Sequence, residues 1–185
     1  AYLGIHVLER GVIFVDLALA QIAMLGTTIA FLIDLPHDGI GAYFISLGFT
    51  LVGAALFSLS RKMEARRIPQ EAFIGVCYAF ASALIILLID KSSHGAEHLK
   101  EMLVGNVLWV SMQDVYSTLC LYIIISAIHV LYRRQFLLIS SDPEKAKAKG
   151  MNLVLWDLLF YGTFGMVITS SVKIAGVLLV FSFLV

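Results

Sequence analysis

An ionisable residue inside apolar sequence is where chemistry would be expected in this chain. Asp16 stands in V-D-L-A-L-A-Q over residues 15–21 and is the only charge between residues 11 and 33. A carboxylate in lipid costs roughly 2.5–3.5 kcal/mol on insertion scales, so it should face a bundle interior or a wet cavity. There it is either satisfied locally, by backbone or by Arg10, or it serves as a transient ligand for a cation. Gln21, five residues on, adds an amide oxygen close to the same face. Asp157 is a second carboxylate within apolar sequence, nearer the end of its run, and snorkelling to the interface is its plainer reading.

A second concentration is H-G-A-E-H over residues 94–98. His94 and His98 at i and i+4 share a helix face, a spacing suited to a divalent metal that binds imidazole. Glu97 lies inside the motif, and Glu101 could add an oxygen. The letters also match H-x-x-E-H of zinc peptidases. No obvious downstream helix supplies a third ligand, so an intramembrane metallopeptidase is the weaker alternative and a solvated polar loop the plainer one. His37 with Asp34 and Asp38 is a fainter version, and His129 is alone in apolar sequence. Cys77 and Cys120 read as small buried hydrophobes. No G-x-x-x-x-G-K-[ST] occurs, so the chain has no nucleotide-binding loop of that kind and is read as catalysing no covalent chemistry. Nor is a permanently bound cofactor expected.

The elements that must position these residues follow from composition. Of 185 residues, 60% are hydrophobic and 14% charged, and the mean hydropathy is +0.93. So little charge cannot cover a soluble domain of this size, whereas lipid solvates such a chain. With zero net charge, bulk electrostatics give no case for nucleic acid. The fold class expected is an all-α integral membrane protein, a single transmembrane domain over residues 1–185. A spanning helix needs about 20 apolar residues. Residues 11–33, 40–60, 72–89, 116–132 and 153–170 qualify. A sixth run over 174–185 is too short to span and reads as a truncated helix. Residues 103–111 are apolar but few, and predict a short re-entrant or interfacial helix with Trp109 at headgroup level.

The loops alternate in charge. Counting Arg10, ten of the thirteen Lys and Arg fall on one side, chiefly in residues 61–67 and 133–149, and Lys91, Lys100 and Lys173 on the other. The positive-inside rule makes the basic loops cytoplasmic, and the expected location is a plasma (bacterial inner) membrane, multi-pass. Within the second basic loop, S-D-P-E-K-A-K-A-K-G over 141–150 reads as a punctuated short helix. Asp142 is its N-cap, Pro143 its first residue, Glu144 favours the positive end of the dipole, and Gly150 is the stop.

That loop, from Asp142 to Asn152, resembles the cytoplasmic loop of the zinc/manganese-type metal ABC permease family. Three other stretches agree in order: residues 61–75, with E-A-F-I-G at 71–75; L-V-G-N-V-L-W-V-S at 103–111; and G-V-L-L-V-F-S-F-L-V at 176–185. The resemblance runs over nearly the whole chain. It implies the permease subunit of an importer for a divalent metal (zinc, manganese or iron), with the metal as transported substrate. Asp142, Glu144, Ala146 and Gly150 would then belong to a helix that couples to a separate cytoplasmic ABC ATPase. It further implies a second permease copy, an extracytoplasmic metal-binding protein feeding the path, and further N- and C-terminal helices. The family commonly carries Asp-x-Leu-Ala-His in its metal-path helix. Aligned on Leu-Ala, Gln21 stands at the His position and Leu17 at the Asp position, with Asp16 one residue earlier.

Overall fold

The computed structural model describes residues 2–36, 39–64, 68–90, 97, 100, 103–105, 107 and 110–184. Among them are eight helices: α1 (Tyr2–Glu9), α2 (Val15–Leu32), α3 (Ile40–Glu64), α4 (Gln70–Ile89), α5 (Met112–Leu131), α6 (Arg133–Ser141), α7 (Pro143–Ala148) and α8 (Leu153–Leu184). Five of them (α2, α3, α4, α5 and α8) are long and apolar enough to cross a membrane.

α2 is the centre of the bundle. It is apolar all round, and such a helix is stable only when it is buried on every side. It packs against α3, α4 and α8, with Ala18, Leu19, Ala20, Ala23 and Met24 buried. Small residues permit the close approach that replaces the hydrophobic effect between helices in lipid. A side chain at Gly26 would meet the Ser46 backbone at 2.7 Å, and one at Gly165 would meet Thr50 Cγ2 at 2.6 Å. Hydroxyls then tie the helices together. Ser46 Oγ donates to Ala23 O at 2.8 Å, and Thr50 and Thr169 share a 2.9 Å hydrogen bond. Outward faces are apolar: Val76, Leu87 and Val130 are 67%, 65% and 74% exposed. Faces of this kind fit a helix whose backbone bonds are internal and whose surface meets lipid.

Several boundaries shift for local reasons. α2 starts at Val15 rather than Gly11 because Gly11 takes φ 66° and turns the chain out of α1. α5 starts at Met112, earlier than the apolar run suggests, because Ser111 Oγ caps it by accepting from Asp114 N at 3.1 Å. The expected sixth segment follows the fifth with no loop between them: α8 carries both, as two helical stretches that meet at a kink at Gly176 (φ 73°, ψ 163°). Lys173 does not end the helix because Asp114 pairs with it at 3.1 Å. Five candidate spans therefore replace the six segments read from hydropathy. In the expected short helix at 103–111, Leu103 and Val104 are helical and Gly105 leaves the helix at φ 70°; Trp109 lies outside the described residues.

At one end of the bundle a charged knot joins α1, α3, α6 and α8. Asp157 is fully buried and pairs with both Arg10 and Arg61, so it does not snorkel. Arg10 also lies 4.2 Å over the Phe160 ring, and its Nε donates to Ser140 Oγ at 3.0 Å. Ser140 Oγ also shares a 2.8 Å hydrogen bond with His6 Nδ1. Burial, then the Arg10 guanidinium and His129, push His6 from 6.5 down to about 4.

Two outcomes follow from this knot. Asp157→Asn leaves two buried guanidinium groups uncompensated, and the expected loss is about 3–5 kcal/mol. It is read from detergent-unfolding curves of the purified protein; a loss under about 1 kcal/mol would put the pair in the class of exposed ion pairs. For His6, the unfolded chain binds the additional proton between pH 6.5 and about 4. Its contribution is therefore complete above pH 6.5 and is lost as pH falls toward 4. Unfolding midpoints at pH 7 and pH 5 should differ in the parent protein and differ less in His6→Phe.

Candidate functional site

Asp16 is 3% exposed, and its Oδ1 accepts the N–H of Leu17 at 2.7 Å. Among the described residues no ion pair includes it; Arg10, the local partner considered from sequence, is committed to Asp157. With Leu17 and Ala20 it faces Val177, Val180 and Phe181 across a cleft that has no room for a water molecule. Gln21 is also buried but does not line that cleft. Five residues turn a helix by about 500°, which leaves Gln21 about 140° away from Asp16, whereas Ala20 lies below it.

A second carboxylate approaches from α4. Glu71 Oε1 accepts the N–H of Phe14 at 2.9 Å, just ahead of α2, and Oε2 is buried with no hydrogen-bond partner. Glu71 lies near enough to Asp16 for their charges to interact. Its sequence signal was its place as the leading acid of α4, after a basic loop; nothing local pairs it with a residue 55 positions earlier.

Asp142, Glu144, Ala146 and Gly150 lie on and around α7. Asp142 caps α7 by accepting from Lys145 N at 2.9 Å, and Lys145 Nζ returns to its Oδ2 at 3.1 Å. Those two contacts, the backbone donor first, hold the Asp142 carboxyl below the usual range. Gly150 ends the segment at φ 76°. Ala146 is fully buried, whereas Glu144, Lys147, Lys149 and Gly150 are exposed. One turn therefore presents a charged outer face and is seated through Ala146. It backs onto α6, whose Phe136, Ile139 and Ser140 are buried, and Ser140 leads to Arg10 and Asp157.

The histidine motif is less defined. Glu97 is exposed, and His94 and His98 lie outside the described residues, as do His37 and Asp38. Among the described residues no three His, Cys, Asp or Glu side chains are grouped to hold a metal. His129 is a core residue: its Nδ1 donates to Ile125 O at 3.0 Å and its ring stacks on Phe136 at 4.6 Å. Cys77 is half-buried, but Cys120 is exposed on the outer face of α5, where the sequence suggested burial.

Known proteins resemble the chain in both sequence and shape. A manganese transport system membrane protein, MntB of Synechocystis sp., is 27% identical over 185 residues, covering all of this chain and 58% of the relative. A probable iron transport system membrane protein of Haemophilus influenzae is 28% identical over 188 residues, covering all of the chain and 65% of the relative. The chain thus spans roughly three-fifths of the length of these curated relatives. Among solved structures, PsaBC from Streptococcus pneumoniae in complex with Fab superimposes with a TM-score of 0.75 at 23% identity, over 99% of this chain and 63% of that one, a likeness of fold. The model of the ABC 3 transport family matches residues 1–185, and with a central buried helix, five candidate spans and a capped loop on the bundle end, the chain belongs to that family.

Proposed function

We propose that this chain is the membrane permease part of an ABC importer for a divalent metal cation. The observation that carries the reading is Asp16, a buried carboxylate on the central helix of a family member, with no cationic partner among the described residues. An ionisable group kept inside a membrane bundle without a counter-charge marks an ion pathway by default. The oxygen donors at hand, the Asp16 carboxylate and the Gln21 amide, suit manganese better than zinc or ferrous iron, which are better matched by imidazole. Because Gln21 is turned away from the Asp16 cleft, Asp16 is the primary ligand and Gln21 a group reached only after the helices shift.

The chain itself transports and does not catalyse. ATP would be hydrolysed on a separate cytoplasmic ABC ATPase seated on the charged face of α7, and Asp142, Glu144, Ala146 and Gly150 build that seat. Closure of the ATPases would push α7 and α6 as one body, and the Ser140–Arg10–Asp157 contacts carry that push into α8 and the start of α2. A second permease copy completes the path, and an extracytoplasmic binding protein delivers the metal on the side of residues 91–111. His94, Glu97 and His98, by their spacing in sequence, would receive it there. The Arg61 end, with its basic loops, faces the cytoplasm of a cell whose plasma membrane the chain crosses several times.

ATP-dependent uptake of manganese, iron and zinc into proteoliposomes holding the full-length protein with its ATPase tests this reading. Manganese should enter faster than zinc, and Asp16→Ala should cut uptake by about tenfold or more, the equivalent of about 1.4 kcal/mol per decade. Unchanged uptake in a folded Asp16→Ala protein removes Asp16 from the path. For the seat, Glu144→Lys should weaken co-purification with the ATPase while the unfolding midpoint moves by no more than about 0.5 kcal/mol, as for other exposed substitutions. Equal co-purification would place the ATPase contact elsewhere.

A further inference from the structure

The first turn of a helix carries amide groups with no acceptor inside the helix, and a capping side chain usually meets one of them. α2 has no such residue of its own. Its N-cap position is Phe14, which has no side-chain oxygen, and no side-chain cap bond is made there. The amides are met from elsewhere. Val15 N–H donates to Val12 O at 3.2 Å, Leu17 N–H to Asp16 Oδ1 at 2.7 Å, and Phe14 N–H to Glu71 Oε1 at 2.9 Å. The last of these bonds crosses to α4, 57 positions later in sequence. Asp16 is therefore both the carboxylate on the cleft and an acceptor within its own turn, so its direction follows that turn.

Glu71 stands on a fixed base. It lies in the first turn of α4, and its neighbour Gln70 is buried, donating from Nε2 to Phe57 O on α3 at 2.8 Å and to Tyr161 Oη on α8 at 3.2 Å. Glu71 Oε2 is buried with no hydrogen-bond partner, so the bond to Phe14 N–H is what orients the carboxylate. An acid at the N-terminal ends of two helices is favoured by both dipoles. The Phe14 ring is half exposed and gives the turn little anchorage of its own. A continuous set of contacts results: Phe57 and Tyr161 hold Gln70, Glu71 holds the Phe14 backbone, and Phe14 opens the turn that carries Asp16.

We infer that Glu71 is a positioning residue for Asp16: it caps α2 from the neighbouring helix and fixes the turn that directs the Asp16 carboxylate toward Val177, Val180 and Phe181. The inference rests on the reading of Asp16 as a cation ligand. What the cap requires is an acceptor oxygen at this place, not a second charge. A glutamine supplies that oxygen, and an apolar side chain of the same length does not. Loss of the bond frays the first turn of α2 and lets Asp16 take other directions, which weakens capture of the cation more than its turnover.

Two readouts on the full-length protein in proteoliposomes test the cap and its consequence separately. The first is hydrogen–deuterium exchange over residues 11–20, with neither metal nor ATP. Glu71→Met should speed exchange in the first turn of α2 by about fivefold, the scale of a lost cap, and Glu71→Gln should stay within about twofold of the parent. The second is the initial rate of manganese uptake with the ATPase present. Glu71→Met should raise the apparent KM for manganese by about fivefold or more with Vmax changed by less than about twofold, and Glu71→Gln should restore the parent values. Unchanged exchange in Glu71→Met removes the cap. An uptake defect as large in Glu71→Gln as in Glu71→Met makes the charge the essential feature and overturns the inference. Faster exchange with an unaltered KM, where Asp16→Ala abolishes uptake, overturns the positioning role. If Asp16→Ala leaves uptake intact while Glu71→Met speeds exchange, the cap stands and it is the path assignment that falls. Should circular dichroism show Glu71→Met unfolded, Glu71→Ala takes its place. If neither folds while Glu71→Gln does, Glu71 is a general structural residue and the inference falls.

Discussion

Everything at the Arg61 end of the molecule depends on one buried carboxylate. Asp157 has no solvent exposure, and it is met by guanidinium groups from two distant parts of the chain, Arg10 just after α1 and Arg61 near the end of α3. In a low-dielectric setting none of the three charges can be left unpaired, so the start of α8, the end of α3 and the α1–α2 turn are fixed relative to one another. Aromatic rings close the knot: Phe160 lies under Arg10, and Tyr161 receives the Gln70 amide, which also donates to Phe57 O on α3. The short helices are then placed by what remains of Arg10 and His6 to bond with Ser140. A loop that would otherwise be a solvated connector becomes a rigid extension of the bundle.

The rest of the bundle works by a different economy. Within the span, association comes from close backbone approach at Gly26 and Gly165 and from single hydrogen bonds such as Thr50 to Thr169 and Ser46 to Ala23 O. Such bonds average about 0.6 kcal/mol in membrane bundles, so several are needed to match one well-packed surface. α5 shows the other extreme. Little of it is buried, and it meets α8 mainly at Tyr122–Ser171 and Asp114–Lys173. The contrast puts stiffness around α2 and the Arg61 end, and leaves α5 loosely tied to the rest.

What the sequence revealed and what it concealed divide along sequence separation. Spans, the Asp142 cap with Pro143 and Gly150, and the apolar faces are set within a few residues, by length, period and cap chemistry, and these were legible. The partners of Asp157 were not, because they lie 147 and 96 positions away; a carboxylate near the end of an apolar run looks identical whether it snorkels or is clamped. Glu71 read as the first acid of a helix, and only the fold brings it beside Asp16. Gly176 sits in an unbroken apolar run, so hydropathy could neither join it to the preceding helix nor locate a break there. The break is visible only through its contact with Gly105, 71 residues earlier.

The two buried carboxylates can be told apart by their counter-charges, and this decides which of them is free to work. Asp157 is saturated by two arginines; a cation arriving there would have to displace guanidinium groups that are themselves buried, and the site would lose more than it gained. Asp16 accepts the N–H of its neighbour Leu17, has no ion-pair partner among the described residues, and faces a cleft walled by Val177, Val180 and Phe181. A carboxylate with no counter-charge is costly in lipid and is eased when a cation neutralises it, so the insertion penalty that two arginines meet at Asp157 would, in the proposed reading of Asp16 as a ligand, be met there by the transported cation. In that proposed reading the placement of Arg10 separates the two: six residues before Asp16 in sequence, it is spent on Asp157 in space, and Asp16 is left with no ion-pair partner among the described residues.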